Sequence, residues 1–238
     1  VRRALAFLTP FGGAATPRPG TLGWFPFAGA LIGLVLGGIW WGADRLWPPL
    51  VTAALVVAAD LVVTGMLHVD GLADSADGLI APMSRGRRLE VMADPRTGAF
   101  GVAAVAIVVV LRVTALSAIT PSPLLLAGLW CASRTTMAVI ARTLPYARGT
   151  GLASAFLGSG PLPVALVGTV LASGLAIGGS AHLVSRAVGV LAIASCLAAG
   201  GLVAGLAHRR LGGFTGDVLG AAGVIGETVG LLFLAARW

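Results

Sequence analysis

The chain has 238 residues, 57% of them hydrophobic and 11% charged, with a mean hydropathy of +0.96. A soluble domain carries about 25% charged residues, so a water-soluble globule is excluded and the chain reads as a polytopic membrane protein. The net charge of +7 comes from sixteen basic residues, all arginine. They are scattered between apolar runs rather than gathered with aromatics on one face, which excludes a nucleic-acid partner and leaves membrane lipid and anionic substrates.

In chain order, "VRRALAFLTP" comes first, with an apolar run too short for a signal peptide. Crossing ~30 Å of hydrocarbon takes about 20 helical residues. Seven stretches meet that need: 22–43, 50–67, 100–119, 124–141, 163–181, 187–207 and 218–236. The fifth is Gly-rich and follows Pro161 and Pro163; without it the number is six. The predicted fold is all-α, a polytopic integral membrane helical bundle of about seven (6–7) helices, forming one membrane-embedded domain over 1–238. With the N-terminus inside, eleven arginines fall in inside segments and three outside, as the positive-inside rule requires. The expected site of residence is therefore the cytoplasmic (inner) membrane, with the N-terminus and the polar segment 68–99 in the cytoplasm and the C-terminus outside.

Glycines recur at spacing four, as Gly29, Gly33 and Gly37, Gly201 and Gly205, Gly216 and Gly220, and Gly226 and Gly230. That spacing predicts close helix packing in lipid. Cys131 and Cys196 lie in apolar runs and read as small buried hydrophobes, outside any disulfide or zinc pattern. Asp60, Arg112, Arg134 and Glu227 fall inside spans and need partners. Asp60 and Arg112 are a candidate pair, and Arg134 is placed to point toward an inside-facing site.

The segment "HVDGLADSADGL" (68–79) holds Asp70, Asp74 and Asp77. At ~100° per helical residue they fall within about 60° of one another, on one face. Three bare carboxylates so close repel and call for a neutralising partner: arginines, protons or a divalent cation. All-oxygen ligation suits Mg²⁺ or Mn²⁺, and the lack of alternating ligands argues against a Ca²⁺ loop. The arginines of "PMSRGRRLEVMADPRTG" follow directly and suit phosphates through their forked donors. Glu90 and Asp94 stand one helical turn apart, with Pro95 expected to end their helix. "LGGFTGDVLGAAG" (211–223) is a Gly-rich turn opening an apolar helix, where Asp217 caps the helix or reaches a metal. Carboxylates followed by arginines are what metal-assisted phosphoryl transfer needs.

These residues also resemble a known family. "HVDGLADSADGL" is similar to the His-x-Asp-Gly-x-Ala-Asp-x-x-Asp-Gly signature of the cobalamin synthase (adenosylcobinamide-GDP ribazoletransferase) family. "RRLEVMADPRTGAFG" (87–101), "SRTTM" (133–137), "YARGTGLASAF" (146–156) and "LGGFTGDVLGAAGVIGETVGLL" (211–232) follow in the family's order. Phe214 departs from it, standing where the family commonly has a polar residue. The resemblance implies a membrane transferase joining adenosylcobinamide-GDP to α-ribazole, or its 5′-phosphate, with GMP released and Mg²⁺ required. It implies metal ligands at Asp70, Asp74 and Asp77, with Asp94 and Asp217 as companions, and Asp217 is taken with the three as a candidate metal ligand. Asp94 or His68 is the candidate proton acceptor. Arg85, Arg88, Arg96, Arg134 and Arg148 are the candidate phosphate ligands, and a homo-oligomer is allowed.

Three rivals stand beside this reading. A CDP-alcohol phosphotransferase shares the chemistry, but its Asp-Gly-x-x-Ala-Arg pattern lacks its arginine here. A cation-coupled transporter would hold its acids at the bilayer midplane, whereas five of the nine acids lie in 68–99. A scaffold without enzymatic activity leaves the acids unexplained.

Overall fold

The computed structural model describes residues 1–13, 18–148, 163–180 and 183–237. The described helices are α1 (Arg2–Leu8), α2 (Phe25–Ala43), α3 (Pro49–Val63), α4 (Leu67–Ile80), α5 (Arg85–Val91), α6 (Ala99–Ser117), α7 (Pro123–Thr143), α8 (Pro163–Gly178), α9 (Leu183–Leu211) and α10 (Gly216–Ala235). Two 3₁₀ turns, Pro10–Gly12 and Pro19–Trp24, join α1 to α2. Among the described residues the only strand-like pairing is an isolated bridge between Tyr146 and Phe214.

Among the described residues, five segments are long and apolar enough to cross a membrane: Gly20–Ala43, α6, α7, Ser185–Leu211 and α10. The expected 6–7 is met only at its lower figure, and two of the expected stretches differ in detail. α8 is a shorter apolar helix of 16 residues, about 24 Å at 1.5 Å per residue. The expected span 50–67 ends early, because α3 stops at Val63 and α4 leaves it at 89°. Counting that bent pair as one span gives six. The break is a Schellman turn: the Met66 N–H donates to Leu61 O at 2.8 Å and the Gly65 N–H to Val62 O at 3.1 Å. Gly65 and Met66 both take positive φ, 58° and 60°. Glycine adopts that conformation freely, and Met66 is the one described non-glycine residue to do so.

α7 is the most buried of the five spans. α2 lies along it so closely that a Cβ on Gly29, Gly33 or Gly37 would fall 2.4, 2.6 or 2.5 Å from Trp130 O, Ala127 Cα or Pro123 Cα. The spacing-four expectation holds there and at Gly226 and Gly230, which press on Cys196 and Leu129. It does not hold at Gly201, Gly205 or Gly216, where a Cβ would meet nothing within 4 Å. Cys131 and Cys196 are buried free thiols, as expected.

α4 is wedged between α6 and α10 and runs opposite to both. Gly71 lets it touch α10, since a Cβ there would lie 2.7 Å from Asp217 O; Gly220 does the same against His68 Cα, at 3.1 Å. On the α6 side, Leu72 and Val69 pack with Val108, Ala104 and Val105. The C-terminal carbonyls of α4 have no partners within the helix. Arg88 donates to Gly78 O at 2.7 Å and Leu79 O at 3.1 Å, and Arg210 donates to Leu79 O and to Ile80 O. Two cations thus close the negative end of the helix dipole.

Candidate active site

The acids of α4 descend from solvent into the bundle. Asp70 is exposed, Asp74 half-buried and Asp77 buried. Asp77 serves the backbone of a neighbouring helix. Its carboxylate accepts the Gly98 N–H at 2.7 Å and the Gly101 N–H at 2.9 Å. Those are orphan donors at the start of α6, so Asp77 caps that helix from across the interface. Asp74 instead feels the charges of Asp217, Asp70 and Asp77. The three carboxylates expected on one face are therefore split, with Asp70 and Asp74 toward the open side and Asp77 against α6.

Asp217 comes from the first turn of α10 and joins this group. The N-cap is Thr215, whose hydroxyl accepts the Val218 N–H at 3.3 Å and donates to Asp217 Oδ2 at 3.1 Å. Asp217 is thereby freed from capping, and its other neighbour is Arg148 Nη2 at 3.1 Å. Backbone pairing holds the two together. The Ala147 N–H donates to Phe214 O at 2.8 Å, and the Phe214 N–H donates to Pro145 O at 2.9 Å. Phe214 is buried against Tyr146, ring centroids 5.4 Å apart. The family-unlike side chain at 214 is therefore a packing residue that leaves Asp217 in place.

Glu90 and Asp94 do not share a helix, because α5 ends at Val91 and Asp94 lies in the turn after it. Asp94 faces Arg96 through two side-chain bonds of 3.0 and 2.7 Å. That guanidinium holds the Asp94 carboxyl down at about 2. His68 is buried, and its Nδ1 has no hydrogen-bond partner among the described residues.

The five expected phosphate arginines divide as well. Arg85 and Arg96 are exposed and Arg148 half-buried, and Arg85 lies beside Gly212. Arg88 is buried and engaged by the end of α4. Arg134 is about 1% exposed and belongs to a charge network between helices. In that network Glu227 of α10 accepts from both Arg134 of α7 and Arg112 of α6. Arg112 also donates to Asp60 of α3 at 2.8 Å and to Thr228 at 2.9 Å, and Trp130 Nε1 donates to Asp60 at 3.1 Å. The expected Asp60–Arg112 pair is present, enlarged to a neutral set of two arginines and two acids. Each of these four charges has a partner, as burial in low dielectric demands.

Asp70, Asp74 and Asp217 form an open set of oxygen donors. Among the described residues no three His, Cys, Asp or Glu side chains stand close enough to form a metal cage. Mg²⁺ does not ask for one, since it usually takes one or two protein carboxylates and fills its shell with water and substrate phosphate. The donor chemistry fits such an ion. Sequence reasoning missed Thr215, Gly98, Gly101 and Arg210. The threonine two residues before Asp217 was a legible capping signal; the others act through their backbone or across the fold. Of "YARGTGLASAF", only residues 146–148 lie within the described structure.

The profile of the family described as cobalamin-5-phosphate synthase matches residues 1–235. Among curated relatives, a Bradyrhizobium diazoefficiens protein is 37% identical, covering 99% of this chain and 93% of its own length. One from Syntrophobacter fumaroxidans is 40% identical, covering 98% and 95%. One from Escherichia coli O17:K52:H18 is 36% identical, covering 88% and 85%. All three are named adenosylcobinamide-GDP ribazoletransferase. No solved structure matches the chain.

Proposed function

The chain belongs to the cobalamin-5-phosphate synthase family, and from that premise we propose that it joins adenosylcobinamide-GDP to α-ribazole, or its 5′-phosphate, releasing GMP in a Mg²⁺-dependent step at the cytoplasmic face of the inner membrane. The observation that carries this reading is the meeting of Asp70, Asp74, Asp217 and Arg148 at one end of an apolar bundle. The arginine asymmetry supports the orientation.

The acceptor hydroxyl oxygen attacks the cobinamide-bearing phosphorus of the diphosphate. The anhydride P–O bond to GMP breaks, and the bridging oxygen leaves with GMP. One or two of Asp70, Asp74 and Asp217 would hold Mg²⁺, which when bound would polarise phosphoryl oxygens and offset charge on the leaving phosphate. Arg85, Arg96 and Arg148 bind the phosphate oxygens through forked donors. Arg88 and Arg134 hold α4 and α7 in place beneath them. Of the two candidate acceptors for the hydroxyl proton, Asp94 at about 2 is a weak base at neutral pH, and His68 is buried where α4 packs on Gly220 of α10. Asp77 keeps α4 in register with α6, so that Asp74 stays beside Asp217.

The test is GMP release by the protein in nanodiscs given adenosylcobinamide-GDP, α-ribazole 5′-phosphate and Mg²⁺. GMP matched by new cobamide, and lost with EDTA or in Asp74→Asn, is the expected result. No GMP from folded protein would overturn the reading. Activity surviving in Asp74→Asn would keep the reaction and remove the metal assignment.

A further inference from the structure

Arg148 has two ties at the acidic end. Its Nη2 lies 3.1 Å from Asp217 Oδ2 and donates to the Met92 carbonyl at 3.1 Å. The backbone on either side is matched to this contact: residues 145–147 and 213–214 are bonded together, and Gly213 sits so close that a Cβ would fall 2.0 Å from Pro145 O. The fold thus aims a cation at Asp217. The same carboxylate feels the negative charge of Asp70 and adds to that felt by Asp74. Arg148 therefore offsets repulsion that a divalent cation would otherwise offset.

A carboxylate oxygen facing a guanidinium cannot give that same direction to a metal. Arg148 keeps 28% of its side chain exposed and Asp217 20%, so the pair is reachable and not locked in the core. We propose that Arg148 is an exchangeable counter-ion. It neutralises Asp217 until a divalent cation takes that carboxylate, and the released guanidinium then turns onto the diphosphate of the substrate. This rests on the metal assignment of the proposed function and adds an order to it: cation first, diphosphate second, coupled through one side chain. Such coupling is reciprocal, so each ligand tightens the other by the same factor. No covalent bond changes in the exchange.

The experiment measures Mn²⁺ binding by electron paramagnetic resonance to the full chain in nanodiscs, with and without GDP as the diphosphate probe. In Arg148→Gln the competing cation is gone, and Mn²⁺ alone should bind about 5-fold tighter, the scale of one partly exposed ion pair. GDP should tighten Mn²⁺ binding in the wild type and do so about 5-fold less in the variant. Arg148→Lys keeps a point charge without the fork, so it should restore most of the wild-type Mn²⁺ affinity but little of the GDP coupling. Mn²⁺ affinity unchanged or weakened in a folded Arg148→Gln protein would overturn the counter-ion role while leaving the metal site standing. Absence of Mn²⁺ binding in both wild type and variant would overturn the metal site and the counter-ion role with it.

Discussion

Removing Glu227 probes the scaffold most sharply. Its side chain is about 2% exposed and is the shared acceptor for Arg112 and Arg134. Glu227→Ala leaves Arg112 with Asp60 and Thr228, but leaves Arg134 with only the Ser133 hydroxyl. One positive charge is then unpaired in the bundle interior. Breaking a buried pair from one side costs about 3–5 kcal/mol. At roughly 2–4 °C per kcal/mol for a chain of this length, the melting temperature in detergent should fall by about 10 °C, read by tryptophan fluorescence. The companion is Arg134→Met in the same chain. It removes the stranded charge and leaves the neutral Arg112–Asp60 pair, so the double variant should recover at least ~1 kcal/mol relative to the sum of the two singles. Strict additivity, or a Glu227→Ala protein within about 2 °C of wild type, would refute the claim that this network is a charge-balanced unit.

The acids of α4 should separate by role. Asp77→Ala strands the Gly98 and Gly101 donors at a cost of about 2–4 kcal/mol, seen as amide exchange at the start of α6 rising by roughly 30-fold or more; Asp70→Asn should leave that exchange alone and lose cation-dependent turnover. Asp94, half-buried and held at about 2 by Arg96, is ionised throughout an assay range of pH 4 to 9. Its folded-state value is depressed, so its favourable contact is present above about pH 4 and is lost as pH falls through about 2; a carboxyl titration should show this, and Arg96→Gln should return Asp94 toward about 3.9. Gly71→Ala drives a Cβ to 2.7 Å from Asp217 O and 2.9 Å from its Cα, backbone that cannot step aside, so α4 should part from α10. A loss of about 1–3 kcal/mol in stability together with lost transfer activity is expected, while Gly201→Ala, with nothing within 4 Å, should be near neutral in both.

Hydropathy is a property that adds along the chain, and the features that depend on it were legible. Summed over about 20 residues it located α2, α6, α7, α9 and α10, and helical spacing put all three acids on α4, though Asp77 turns to the start of α6 while Asp70 and Asp74 do not. Direction does not add in this way. The run 50–67 stays apolar across Thr64, Gly65 and Met66, so a window passes smoothly over the 89° turn that starts α4. Pairing is harder still, because Arg112 and Glu227 lie 115 residues apart and Arg210 meets Leu79 across 131. A sequence of sixteen arginines and nine acids does not say which belong together. The fold sorts them by burial. Arg112 and Arg134 are matched to Asp60 and Glu227 inside, and Arg88 and Arg210 are matched to the carbonyl end of α4. What remains at the open end is an excess of carboxylate, Asp70, Asp74 and Asp217, faced by the half-buried cation Arg148. That local imbalance, in a chain of net charge +7, is the physical reason to look there for a divalent cation, since the buried arginines Arg88, Arg112 and Arg134 already have carbonyl or carboxylate acceptors.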